Sequence, residues 1–227
     1  MFERKKTTRH HVSKHPLTAI FPPQRLLTVG KRPQRIESLK HASFLEPSRF
    51  DTLCQHLLHQ ILNYTQQLPE TTNSYFSSLG GLFDHALDRT VAAVDLFKHI
   101  VLVDPEAQLS EEQQLWWYAL FSASLLRGIG KLPLDYIIEL YNEEKYLIKC
   151  WEPLLEPLAK TARHYHFEII NNDHDEQLRR RLNMLFAQQL MPKEGFAWIT
   201  KNLDVLTVWL ELLNEDTASS GTLALIL

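Results

Sequence analysis

The stretch LWWYALFSASLLR, residues 115–127, is apolar on nearly every face. A helix of that kind cannot lie on a surface, so the rest of the chain must fold around it. Its start is marked by Ser110 and Gln113. They form an S-E-E-Q capping box, in which each side chain satisfies a backbone N–H at the helix end. Gly128 and Gly130 interrupt it, and Pro133 with Asp135 begins the next piece. One central helix in 227 residues predicts one domain, or one domain with an arm. A chain this long buries a full core without staples.

The helices around it are read from periodicity. Phe50, Leu53, Leu57, Ile61 and Tyr64 recur at three and four, which predicts a helix from Ser48 to about Gln67. Ala86, Leu87, Val91, Val94, Phe97 and Val101 give a second, over 82–103, followed by the connector DPEAQ. RIESLKHASFL reads as a short helix. A helix opening near Asp173 runs to Leu190 and is ended by Met191-Pro192. GFAWITKNL and DVLTVWLELLNED are two more short helices. Seven glycines are few for this length and weigh against glycine-punctuated β or dinucleotide-binding architectures. The fold expected is all-α: about eight helices and little or no sheet, with FEII as a short extended stretch. Residues 1–45 are expected to form a proline-containing arm and residues 46–227 the helical domain.

Charge divides the same way. Residues 1–40 carry a balance of +8 and residues 41–227 a balance of −11. Lys5, Lys6, Arg9, Lys31, Arg32 and Arg35 are therefore the candidate nucleic-acid contacts, since phosphates attract such clusters. The competing reading is a solubilising tail, or an arm that packs on the acidic body. Cys54 and Cys150 lie about a hundred residues apart with no CxxC, which suits a reducing cytoplasm and excludes a thiolate zinc knuckle. No apolar run is long enough to span a membrane, and no apolar leader stands at the N-terminus. A cytoplasmic protein is expected.

Generic catalytic motifs are missing: there is no G-x-x-x-x-G-K-[ST], no H-E-x-x-H and no G-x-S-x-G. A more specific pattern is present. Leu68-Pro69-Glu70, Gly80-Gly81-Leu82-Phe83, His85 and Leu87 are followed by Trp117, Ala119, Leu120, Phe121, Leu125, Leu126, Gly130, Lys131 and Asp135. Trp151-x-Pro153, Tyr165, His174, Leu190-x-Pro192, Gly195, Trp198 and Trp209-Leu210 continue it. In order and spacing this resembles the TraI-like domain of MobH-type conjugative relaxases, over about residues 30–225. The resemblance implies the fold of HD metal-dependent phosphohydrolases. It also implies a site in which His, a His-Asp pair and a distal Asp hold a metal that activates water.

Only His85 stands at one of those ligand positions. Arg127-Gly128 replaces the His-Asp pair, and a guanidinium repels a cation. Asn73-Ser74-Tyr75 replaces a histidine run. The resemblance places the distal Asp beyond a segment like GTLALIL, where this sequence ends at Leu227. The chain is therefore expected to be a non-catalytic relative, with no metal and no cofactor. It would act as a DNA-processing accessory or interaction module of a bacterial mobile element, with DNA or conjugation-machinery proteins as partners. A residual phosphohydrolase or nuclease, and a protein–protein module, are the alternatives. His85, Arg127 and Lys131 are the candidate phosphate or nucleotide pocket. The competing reading is a core histidine at 85 and a salt bridge between Lys131 and Asp135.

Overall fold

A computed structural model of the chain describes residues 15–73, 75–101, 109–170 and 175–215. Lys5, Lys6, Arg9, the connector DPEAQ, Asp173, His174 and GTLALIL, all singled out in the sequence, lie outside the described residues.

The chain opens with strand β1 (Thr18–Ala19), then helices α1 (Pro23–Leu27) and α2 (Arg32–Ser43). Helix α3 (Pro47–Phe50), a wide π-type turn (Asp51–Gln55) and α4 (His56–Thr65) follow without a break. They bury Phe50, Leu53, Leu57, Ile61 and Tyr64, the stripe whose spacing predicts them. Helix α5 (Gly81–Val101) leads to α6 (Glu111–Leu126), then a 3-10 turn (Ile129–Lys131) and α7 (Leu132–Asp135). Strands β2 (Tyr136–Tyr141), β3 (Leu147–Cys150) and β4 (His164–Ile169) come next. Helices α8 (Glu176–Leu190), α9 (Lys193–Thr200) and α10 (Leu203–Leu213) close the described chain.

Helix α6 is the axis of the core. Leu115 and every residue from Trp117 to Leu126 are buried. The capping box at Ser110 and Gln113 is formed in both directions. Helices α5 and α10 pack against α6. Trp117 stacks on Phe121, with ring centroids 5.3 Å apart, and the Trp209 indole donates to the Ser122 hydroxyl at 3.0 Å.

The all-α expectation is wrong. The described residues form a mixed α/β fold with a four-stranded antiparallel sheet of order β1-β4-β2-β3. The reason lies in residues 136–141. Tyr136, Ile138 and Leu140 are buried while Ile137 is exposed, a period of two that only an extended strand presents to a core. Tyr165 in β4 shares that inner face, with β2 and β4 registered as Ile138↔Phe167 and Leu140↔Tyr165. FEII lies mostly within β4, but it is one part of a sheet rather than an isolated extended stretch.

Residues 18–45 belong to the same core. β1 pairs with β4, and Leu26, Leu27, Leu39, Ala42 and Leu45 are buried with the rest. Arg32 is 2 % exposed. Its Nε donates to Asp84 Oδ1 at 2.7 Å and its Nη1 to the Leu26 carbonyl at 2.7 Å. Arg35 forms an ion pair with Asp88.

Candidate functional site

Two tyrosines of the sheet hold the segment that leads into the site. The Tyr136 hydroxyl donates to the Pro69 carbonyl at 2.8 Å, and the Tyr165 hydroxyl accepts from the Gln67 N–H at 3.2 Å. The Glu70 N–H then donates to the Phe76 carbonyl at 2.9 Å, closing a loop against the start of α5. Glycine is required where that loop meets the helix. A Cβ on Gly81 would stand 2.0 Å from the Phe76 carbonyl oxygen.

Helix α5 presents His85 and, one turn later, Arg89. The end of α6 supplies Arg127. Gly128, at φ 83°, turns the chain so that the 3-10 turn returns Lys131 to the same place. His85, Arg127 and Lys131 thus line one cavity of about 30 Å³ over an apolar floor that includes Ile61, Leu82 and Leu125. That volume holds about two or three waters, at ~10–15 Å³ each. Glu70 and Arg89 complete the charged wall.

Those two residues were missed in the sequence, although each left a signal. Glu70 stands in the Leu-Pro-Glu string, and Arg89 lies four residues after His85 on one helical face. The Glu70 carboxylate is the hub of the site. Lys131 pairs with it and also donates to the Glu70 carbonyl at 3.3 Å, and His85 Nδ1 lies 3.3 Å from Oε1. The His85 ring stacks on Phe76 at 4.8 Å. The pair imagined between Lys131 and Asp135 is divided differently: Asp135 binds the Arg179 guanidinium at 3.0 Å. Arg89 donates to the Ser124 carbonyl at 2.9 Å and to the Arg127 carbonyl at 2.6 Å, satisfying the open carbonyl end of α6.

The two members of the central pair respond differently to burial. Burial alone would raise the Glu70 carboxyl, but the hydrogen bond with His85 and the charge of Lys131 outweigh it and hold it below its ordinary value. At Lys131 burial wins over the attraction of Glu70, and the ammonium is lowered. Burial, then the charge of Arg127, brings Arg89 down to about 10. A depressed carboxyl contributes stability above its unfolded value and loses it as pH falls through its folded one. Glu70→Gln should therefore be less stable than wild type at pH 7, and the gap should close as pH drops below ~4.5. Urea midpoints of both proteins across pH 3–7 check this. A gap that does not change with pH would contradict it.

An HD-type metal does not fit these residues. A cation in the cavity would meet Arg89, Arg127 and Lys131. Among the described residues no group of three or more His, Cys, Asp or Glu side chains is placed to hold one. His56 and His59, one turn apart, contact Gln60 and Gln55 respectively on their own helical segment.

Of the basic candidates in the arm, Lys31 is exposed, while Arg32 and Arg35 are committed to Asp84 and Asp88. Among the described residues no helix is long and apolar enough to cross a membrane.

The class defined here is a mixed α/β domain built on one central helix, with a small cationic cavity closed by the protein's own carboxylate. The chain belongs to the TraI_2 family, described as "Putative helicase", whose model matches residues 19–227. This agrees with the TraI-like resemblance read from the motifs. No curated protein matches the sequence.

Proposed function

We propose that this chain is a non-catalytic relative of the MobH-type relaxase domain, serving as a DNA-processing accessory or interaction module of a conjugative element. The observation that supports it is the Lys131–Glu70–His85 cluster. Where HD chemistry needs a metal and an activated water, this protein sets its own carboxylate against its own cations, beside Arg127. Motor function has no support in the residues, because a helicase needs a phosphate-cradling P-loop and this sequence carries none.

The test is elemental analysis of purified protein alongside phosphoester hydrolysis. The expected result is no stoichiometric Mn, Fe or Zn and no hydrolysis. About one metal per chain, lost on His85→Ala, would overturn the reading in favour of the phosphohydrolase alternative.

Contact with DNA, in this reading, falls to Lys5, Lys6, Arg9 and Lys31. Such contacts give weak, salt-sensitive and sequence-independent binding, ~10⁻⁴–10⁻⁶ M.

A further inference from the structure

We propose that Arg127 and Arg180 form a phosphate-binding site on the rim of the cavity, and that the Glu215 carboxylate occupies it in this structure. The proposal deepens the non-catalytic reading above by naming what the retained cationic site would bind.

Three elements converge there. Arg127 caps α6, Arg180 lies on α8, and Glu215 follows α10. Glu215 Oε1 is 3.6 Å from Arg127 Nε, and Oε2 is 3.9 Å from Arg180 Nε. One carboxylate therefore faces two guanidinium groups, one oxygen to each, and both distances are longer than a hydrogen bond. Arg180 Nε is buried with no hydrogen-bond partner among the described residues, although its terminal nitrogen pairs with Glu176. A buried charged donor left in that state is costly. Glu215 fits this place poorly in a second way. It takes a left-handed backbone, φ 57°, which a residue with a Cβ adopts at some cost.

A phosphate fits better. It offers three oxygens to the planar donor forks, and charge-assisted bonds of this type are short and strong. The surrounding charge favours it as well, since the adjoining cavity wall holds Arg89, Arg127 and Lys131 against Glu70.

The platform is also fixed. Asn183 accepts from the Gly130 N–H at 2.8 Å and donates to the Leu213 carbonyl at 3.0 Å. This ties the turn after α6, α8 and the end of α10 together through one buried side chain. The turn and α8 touch closely enough that a Cβ on Gly130 would stand 2.1 Å from the Arg179 carbonyl oxygen.

Calorimetric titration of the full chain with inorganic phosphate tests the proposal. Saturable binding is expected, and Glu215→Gln should tighten it about fivefold by removing the competing carboxylate. Arg127→Gln and Arg180→Gln should each weaken it by about tenfold. If either arginine variant fails to fold, Glu215→Gln alone decides. Unchanged affinity in Glu215→Gln, or no phosphate binding in wild type and in that variant, would overturn the proposal. Parallel titrations with a single-stranded oligonucleotide, with and without a 5′-phosphate, identify the source. Tightening by Glu215→Gln only with the 5′-phosphate marks a terminal phosphate, and tightening with both marks backbone phosphates. Tightening with inorganic phosphate alone marks a free ligand. A failure here leaves the lack of catalysis standing, because that is read from metal content. A metal-loaded chain that still responds to Glu215→Gln would fail the non-catalytic reading alone.

Discussion

Trp117→Ala is expected to lower the stability of the fold by about 3–5 kcal/mol, the range for emptying a large aromatic site in a packed core. Trp117 is fully buried, at 0 % exposure, on the helix around which the others are arranged. It stacks nearly parallel to Phe121, so its removal leaves a cavity that rigid neighbours cannot close. A second variant separates size from polarity. The Trp117 indole N–H is buried without a hydrogen-bond partner among the described residues, whereas the Trp209 indole donates to Ser122. Trp117→Phe relinquishes volume but also removes an unsatisfied donor, and the two effects oppose each other. Trp209→Phe relinquishes volume and also loses a buried hydrogen bond, the one its indole donates to the Ser122 hydroxyl, which keeps its own bond to the Tyr118 carbonyl. Urea denaturation should therefore rank the costs Trp117→Phe below Trp209→Phe, with Trp117→Ala far above Trp117→Phe. A Trp117→Ala midpoint close to wild type would place the indole outside the core and contradict the fold.

The helices were legible because their information is local. The capping box at Ser110, the stripe from Phe50 to Tyr64 and the all-round apolar character of α6 each specify a helix without reference to the rest of the chain. The sheet was not legible for the opposite reason. YIIELY places apolar residues on both faces of any strand or helix it forms, and Glu139 alone is a weak marker of alternation. Its extended state is decided by β4, whose His164–Ile169 segment pairs with it from more than twenty residues away. Strand preference depends on such partners more than on intrinsic propensity.

The site was half legible. His85, Arg127 and Lys131 line one cavity. Glu70 could not be assigned its role from the sequence, because its position depends on Tyr136 and Tyr165 of that sheet. Arg180 and Glu215 meet only after α8 and α10 have packed, and no short motif encodes a contact of that kind.

The division of the first forty residues by charge predicts a basic arm, and the structure shows that one of its cations belongs to the core. Arg32→Ala should cost about 3 kcal/mol or more, at the low end of the range for breaking a buried ion pair. The guanidinium satisfies both oxygens of Asp84 and the carbonyls of Leu26 and Gly80. Its loss leaves a carboxylate that is 28 % exposed without its main partner, although Arg35 Nη1 remains 3.9 Å away. Arg32→Ala with Asp84→Asn should recover part of the loss, since the stranded charge is then gone. Arg35→Ala should cost less than about 1 kcal/mol, because the Arg35–Asp88 pair is nearer to solvent and screened. The same geometry determines how DNA binding is to be tested. Deleting residues 1–40 would remove Arg32 together with the buried Leu26, Leu27 and Leu39, so loss of binding in that truncation would report unfolding. Neutralising Lys5, Lys6 and Arg9 changes the arm's charge and leaves those buried side chains in place. Thermal melts should show the triple variant near wild type and the deletion far below it. If Arg32→Ala and Arg35→Ala cost the same small amount, the buried pair with Asp84 does not exist in solution, and only the apolar contacts of Leu26, Leu27 and Leu39 hold this segment to the body.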